Sequence, residues 1–336
     1  MPHIAYDEAL RLTRAALLRA GYTPEKAERL SGVFCKNTLE GVASHGLNRF
    51  PRFIRESLSG IVDVNAEPEC AAALGGMEVW DGHFGHGPLI AEAAMDRAID
   101  LARTHGIACV SVRNANHWQR AGRYGWQAVN AGMIGMLWTN TCRNLPAWGA
   151  RDCQLGNNPF FLAIPRRKGH VVVDMSMSQY AYGRLEIAKQ RGEKLSAPGG
   201  FDREGRLTDD PAEILITRRP LPIGYWKGAA MSLALDMIAA GTSLGRTVNM
   251  IGPAGEERGL SQIFIAINYA GLSCEEEAQA RFDDAVEAML ASEPAQEDVP
   301  VRAPSGEIHR IVEKNLLFGM EVAEATLAEL YRLAEA

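Results

Sequence analysis

The stretch Ser44-His45-Gly46-Leu47-Asn48-Arg49-Phe50-Pro51-Arg52 sets a titratable imidazole four residues ahead of a fixed cation. If the backbone there is helical or nearly so, His45 and Arg49 point the same way, one able to move a proton and the other to hold an anion. That combination suits a 2-keto acid, whose carbonyl needs a proton and whose carboxylate needs a cation. A histidine beside an arginine is more often a surface or capping arrangement, so the surroundings must decide. Gly41, Gly46 and Pro51 interrupt what would otherwise run as one helix over residues 24–59. Broken backbone between helices is where a side chain is aimed into a cleft.

Other residues could join them. Asn114-Ala115-Asn116-His117-Trp118 follows a strand-like run at 107–112, and polar residues at a strand end are where mixed α/β folds expose catalytic groups, which makes His117 a site candidate. Asp174 ends the apolar run 171–173, where an unpaired charge is costly. It therefore needs an imidazole, a ribose hydroxyl or backbone amides, unless it simply caps the segment after it. Tyr225-Trp226-Lys227-Gly228 offers an aromatic plane and a cation, fit to stack on a nucleotide and touch a phosphate, or merely to start a helix. His83 and His86 form an H-x-x-H pair with no third ligand nearby, so no metal is expected and the pair reads as a turn packed over the cleft before the Pro88 helix.

Stepping outward, 336 residues with 47% hydrophobic and 23% charged content make a globular chain long enough for two cores. A net charge of −6 and no basic stripe argue against nucleic acid. Six scattered cysteines without C-x-x-C spacing read as reduced thiols, and the amphipathic N-terminus is neither signal peptide nor membrane span, which points to the cytoplasm. Helical spacing covers 6–20, 24–38, 88–105, 123–131, 229–240, 275–291 and 322–336, and strand-like runs cover 77–81, 107–112, 134–139, 160–165, 170–175 and 263–268. Residues 192–222 read as a long polar excursion and 292–304 as an exposed connector. Helical ends around a mixed middle predict an α/β protein, with a helical domain from 1–70 plus 300–336 flanking a central α/β domain at 71–299. No G-x-G-x-x-G run is present, and the cluster Gly82-His83-Phe84-Gly85-His86-Gly87-Pro88 has the wrong spacing, so any nicotinamide cofactor is bound by a non-Rossmann route.

Several stretches carry a resemblance over essentially the whole chain: SHGLNRFPRFI at 44–54, RNANHWQRAGRYGWQA at 113–128, VDMSMSQYAYGRLE at 173–186, GGFDREGRLT at 199–208, GYWKGAAMSLALDMIA at 224–239 and LSQIFIAI at 260–267. In these the chain resembles the type 2 malate/L-lactate dehydrogenases, and within them the bacterial reductases of 2,3-diketo-L-gulonate. The resemblance implies an NAD(P)-dependent enzyme with a non-Rossmann fold, working as a homodimer with its cleft near the subunit interface; NADH is the preferred cofactor of the leading reading and NADPH stays open, since no residue here decides between them. It implies His45 as proton donor. It also implies cofactor contacts from His170, Val171, Val172, Val173, Asp174, Met175 and Ser176, from Trp226 and Lys227, and from Ser305, Gly306 and Glu307.

The expected chemistry is hydride attack on the C2 carbonyl of a 2-keto acid, with His45 as imidazolium protonating the oxygen as it gains charge. Arg49 takes the substrate carboxylate in two-point geometry, Asn116 and His117 bind sugar hydroxyls or the second carbonyl, and Asp174 orients an imidazole or binds the nicotinamide ribose. Other readings stay open: another 2-hydroxy or imino acid such as malate, lactate, ureidoglycolate or a cyclic imine, a cofactor-free hydratase or isomerase using His45 and Asp174, or a binding protein without turnover.

Overall fold

The computed structural model describes residues 2–253, 257–272, 274–296, 299–304 and 308–335. Near the N-terminus lie helices α1 (Tyr6–Arg19), α2 (Pro24–Leu39) and α3 (Phe50–Leu58). Thr23 caps α2 by accepting the Lys26 amide, and Pro24 occupies the first turn, where its missing N–H costs nothing. The helices bury Leu12, Leu17, Leu30, Phe34, Phe50, Phe53 and Ile54 in one apolar cluster that also takes in Met320, Val322 and Leu330 from the other end of the chain. Burying each such large side chain contributes about 1.5–3 kcal/mol. His3–Ile4 pairs antiparallel with Met320–Glu321, tying the two ends by backbone as well.

The middle of the chain builds a sheet of seven strands: β1 (Glu69–Leu74), β2 (Met77–Asp81), β3 (Ile107–Asn116), β4 (Ile134–Thr139), β5 (Phe160–Ile164), β6 (Val171–Met175) and β7 (Arg258–Ile267). Their spatial order is β1-β2-β3-β7-β4-β5-β6, and every neighbouring pair is antiparallel except β2 with β3. A doubly wound dinucleotide-binding sheet is parallel, so this is a mixed α/β architecture of another kind, in keeping with the missing glycine fingerprint. Helix α4 (Gly87–His105) links the parallel pair and ends at Gly106, whose φ of +80° is natural only to glycine. With α5 (Gly122–Asn130) it buries Ile90, Met95, Tyr124, Trp118 and Phe264 against the sheet. Trp118 meets Phe161 and Phe264 edge-on at 5.8 and 5.6 Å, so it is a core anchor for the chain immediately after β3.

Several expectations need correction. The excursion at 192–222 is not structureless: it holds a two-strand ladder, Gly200–Phe201 with Leu207–Thr208, and a helix, α7 (Pro211–Thr217), capped by Asp210. Strand β1 and the helices α6 (Tyr182–Arg191) and Ile308–Phe318 are further elements beyond those expected; β1 is an Ala-rich, exposed edge with no alternation to mark it. Strand β7 starts at Arg258 rather than 263, because irregular pairing between Arg258 and Gln262 breaks the alternation that marks a strand. Finally, β6 is no buried central strand. It is the edge of the sheet, and Asp174 on it faces solvent.

Candidate active site

Helix α2 positions His45 from behind. After it ends, residues Ala43–His45 make a single 3-10 turn, and the Asn37 carboxamide donates to the His45 carbonyl at 2.9 Å. Thr38 Oγ1 accepts the Leu47 amide at 2.8 Å. Gly46 is required at this point by contact. A Cβ there would stand 2.1 Å from Thr38 Oγ1 and 2.8 Å from the Phe34 carbonyl, so only glycine lets the turn lie flat on α2. Arg49 then occupies the N-cap position of α3, so the stretch is a turn and a helix start rather than the single helix that spacing alone would give.

The end of β3 brings the second imidazole. The rings of His45 and His117 stack with centroids 5.8 Å apart and planes 16° from parallel. His117 Nδ1 accepts the Gln119 amide at 3.0 Å, which leaves Nε2 as the protonated nitrogen of the neutral ring. His45 Nδ1 shares a hydrogen bond of 3.1 Å with the Ser44 hydroxyl. Both rings are half-buried, and both are held neutral. Burial first, then Arg49 and Arg120, push the His45 pKa down to about 4. The same burial, with Arg49, His45 and Arg52, depresses His117 well below its usual range. The site therefore disfavours the imidazolium expected from sequence, chiefly because the ring is buried and then because two arginines face it.

Each arginine around this pair has its own carboxylate. Arg120 pairs with Glu40, Arg52 Nε donates to Glu56 at 2.5 Å, and Arg49 Nη2 lies a slack 3.4 Å from Glu257. Glu257 in turn accepts from the Cys142 thiol at 3.5 Å, and burial with this carboxylate pushes that thiol up to about 12, so it stays protonated.

Asn116 is placed differently from expectation. Its Nδ2 donates to the carbonyls of Phe84, Gly85 and Ile61, at 2.7, 3.0 and 3.3 Å, so its donor capacity is spent on holding the 82–87 loop rather than offered to a substrate. In that loop His83 sits near Glu69 and Asp81, while His86 is buried against Tyr22, so the two do not converge as a pair over the imidazoles. Asp174 also differs. Its nearest charged neighbour is the Arg120 guanidinium rather than an imidazole: a Cβ on Gly122 would stand 3.2 Å from Asp174 Oδ2 and 3.4 Å from Arg120 Nε. The protein packed behind this carboxyl pushes its pKa up to about 6, against the pull of Arg120.

Arg120 is thus the link between the imidazole pair and the β6 edge, and its Nε is buried without a hydrogen-bond partner among the described residues. A donor without a partner beside a carboxylate acceptor is a pair that fits a ribose hydroxyl, which both donates and accepts. The end of β6 is also fastened to the start of helix α8 (Trp226–Ser243), the Ile223 amide donating to Met177 O at 2.9 Å. Met175 accordingly packs with Ile223 on the α8 side of the sheet, whereas the Asp174 side chain lies on the α5 side; Trp226 and Lys227 are exposed. His170 opens the strand at its other end, its Nδ1 accepting the Arg166 amide at 3.1 Å and its ring edge-on to Trp126 at 5.5 Å. Val171, Val172 and Val173 complete that edge. From the end of β6 the chain continues into Tyr182–Arg191, where a Cβ on Gly183 would touch Ser44 at 3.0 Å. Ser305, Gly306 and Glu307 lie outside the described residues. Among the described residues no cluster of three or more His, Cys, Asp or Glu side chains has the geometry of a metal site.

Sequence reasoning missed Arg120 and Glu257. Arg120 stands two residues beyond Trp118, but only the fold shows that it faces both His45 and Asp174. Glu257 is 208 residues from Arg49, and nothing local marks it.

Comparison with known proteins gives a consistent answer. The sequence pattern of the malate/L-lactate dehydrogenase family matches residues 4–331. The chain is 41% identical over 331 residues to a 2,3-diketo-L-gulonate reductase of Klebsiella pneumoniae, covering 98% of this chain and 99% of the relative. It is 40% identical, with the same coverage, to one of Citrobacter koseri. Among solved structures, the sulfolactate dehydrogenase from Methanocaldococcus jannaschii superposes with a TM-score of 0.89 at 28% identity, over 99% of this chain and 96% of that one. The delta1-piperideine-2-carboxylate reductase from Pseudomonas syringae pvar. tomato does so with 0.86 at 26% identity, over 99% and 100%.

Proposed function

The chain belongs to the malate/L-lactate dehydrogenase family and is an oxidoreductase of hydroxy and keto acids, and from that premise we propose that it reduces 2,3-diketo-L-gulonate at C2, to 3-dehydro-L-gulonate, with NADH as hydride donor. The observation that carries this reading is the stacked pair His45 and His117 set in the field of Arg49. Arg49 receives the substrate carboxylate, for which a guanidinium offers paired parallel donors. The carbonyl then lies toward the imidazoles, where a proton can be delivered as oxygen gains charge. His45 is the donor and His117, with Nε2–H free to donate, steadies the oxygen or a neighbouring hydroxyl. The bound carboxylate offsets Arg49, one of the two charges that add to burial in holding the His45 pKa down, and so raises the readiness of the imidazole to carry a proton with the anion in place.

The nicotinamide supplies the hydride when bound. His170, Val171, Val172, Val173, Asp174, Met175 and Ser176 along the sheet edge, with Trp226 and Lys227 at the start of α8, would hold the dinucleotide, Asp174 taking a ribose hydroxyl; Ser305, Gly306 and Glu307 are proposed to contribute from the neighbouring segment. Asn116 acts by fixing the loop at 82–87. The ends of the chain serve as a helical domain, 1–70 with 300–336, against the α/β domain at 71–299. The working unit is a homodimer: the outer face of α8 exposes Met231, Leu233, Met237 and Ile238, a contiguous apolar strip of the kind that a second subunit covers. Met237→Asp should therefore convert dimer to monomer in light scattering, and an unchanged mass would remove α8 from the interface. Six free thiols fit a reducing cytoplasm, and no described helix is long and apolar enough to cross a membrane.

The test is loss of the reduced nicotinamide absorbance, with NADH and NADPH separately, against 2,3-diketo-L-gulonate, pyruvate, oxaloacetate, ureidoglycolate and a cyclic imine. Fast NADH oxidation with the diketo sugar acid alone is expected. Turnover only with another acid would move the substrate, and silence throughout would overturn the reading.

A further inference from the structure

We propose that Glu257 determines substrate specificity, admitting 2-keto acids that carry hydroxyl donors beside the keto acid and excluding those that carry a second anion. This rests on Arg49 as the anchor of the substrate carboxylate.

The topology places Glu257. Strands β3 and β7 are antiparallel neighbours, with Arg258 opposite Asn116, so the residue before β7 emerges beside the residue after β3, which is His117. The irregular pairing at the start of β7 turns its first residues away from regular strand geometry. A carboxylate is thereby set into a site otherwise built for an anion. Its side chain is 13% exposed and that of Arg49 21%, so the two meet partly out of water.

The three arginine pairs of the site are unequal. Glu40 and Glu56 hold their arginines closely, in positions where a ligand would have to break a short ionic hydrogen bond. Glu257 touches Arg49 through one contact of 3.4 Å, weak for a charge-assisted bond, and spends its other oxygen on the Cys142 thiol at 3.5 Å. Most of the five guanidinium donors of Arg49 therefore stay available, and an incoming carboxylate can share the guanidinium with Glu257 rather than evict it. With the substrate seated so and its C2 carbonyl toward the imidazoles, the substituents at the third atom beyond its carboxylate carbon, C4 of both a sugar acid and oxaloacetate, face Glu257. A hydroxyl there donates to the carboxylate. A second carboxylate or a sulfonate meets a like charge in a partly dry site, where such juxtaposition is strongly unfavourable. A resident carboxylate would be a fault in an enzyme for dicarboxylic or sulfonated acids, and is an advantage in one for polyhydroxy acids.

The experiment compares kcat/KM for a polyhydroxy 2-keto acid, with 2,3-diketo-L-gulonate as the probe, and for oxaloacetate, in wild type, Glu257→Gln and Glu257→Ala. Near-UV circular dichroism confirms native packing. Glu257→Gln keeps shape and removes charge, so the oxaloacetate to sugar-acid ratio should rise by about tenfold or more. Glu257→Ala should raise the KM for the sugar acid more than it lowers kcat, since the lost contact is a binding one. An unchanged ratio in natively packed variants overturns the proposal. So does a wild-type enzyme that reduces oxaloacetate as well as the sugar acid, a result that needs no variant to fold. A wild type that reduces neither acid, nor any other 2-keto acid, overturns the anchoring role of Arg49 and this inference with it.

Discussion

Replacing Gly46 by alanine should inactivate the enzyme while leaving every polar group of the site in the sequence. The new Cβ would lie 2.1 Å from Thr38 Oγ1 and 2.8 Å from both the Phe34 carbonyl and the Thr38 amide nitrogen, whereas real Cβ contacts stay above 3.0 Å. The turn must therefore lift off α2 by about 1 Å, since backbone atoms on that side cannot yield. Overpacking of this kind costs about 1–3 kcal/mol, and separating the Leu47 amide from Thr38 Oγ1 adds about 1 kcal/mol. Together these predict a fall in melting temperature of roughly 4–10 °C. His45 is the residue immediately before Gly46 and moves with it, and a misplacement near 1 Å lowers turnover about 100-fold. Gly32→Ala is the control. It lies within α2 with nothing within 4 Å of the added Cβ, and should stabilise by about 1 kcal/mol without loss of activity. The assays are a thermal melt and NADH oxidation with the substrate proposed above. A Gly46→Ala protein with wild-type turnover would refute the claim that packing on α2 sets the position of His45.

His45→Ala should lower kcat by 100-fold or more while the dissociation constant for NADH, read by fluorescence quenching, changes little; loss of NADH binding would contradict the proton-donor role. Arg49→Ala should act chiefly on KM for the keto acid, and an effect confined to kcat would remove Arg49 as the carboxylate anchor. Acid should act on stability through His86. His86 is 1% exposed, its ring nitrogens have no hydrogen-bond partner among the described residues, and burial holds its pKa down to about 4. Above pH 6.5 it is neutral both folded and unfolded, and its contribution is complete; as pH falls below 6.5 the unfolded chain takes a proton that the folded chain refuses until about pH 4, so stability is lost across that window. The loss amounts to about 3 kcal/mol at the low end. Melting temperatures from pH 8 to 4.5 should fall less steeply in His86→Leu than in wild type, and parallel curves would show that His86 is not the responsible group.

Much of this protein was determined by local sequence. Helical periodicity and Thr23-Pro24 start α2 without outside help, β4 is bounded as its alternation requires, and the absent glycine fingerprint already excluded the fold that most nicotinamide enzymes use. The family resemblance was legible because whole motifs are present, and the glycine of SHG has a reason visible only in the fold: Gly46 is fixed by packing on α2 rather than by a turn preference. What the sequence could not decide is what depends on distance. That His45 and His117 stack, that Arg120 faces both His45 and Asp174, and that Glu257 meets Arg49 follow from strand order and pairing, which join segments up to 208 residues apart. The charge state of the imidazoles is of the same kind. Composition allows a protonated histidine, but burial and two arginines brought from different elements favour the neutral ring, because an electrostatic field is a sum over neighbours in space.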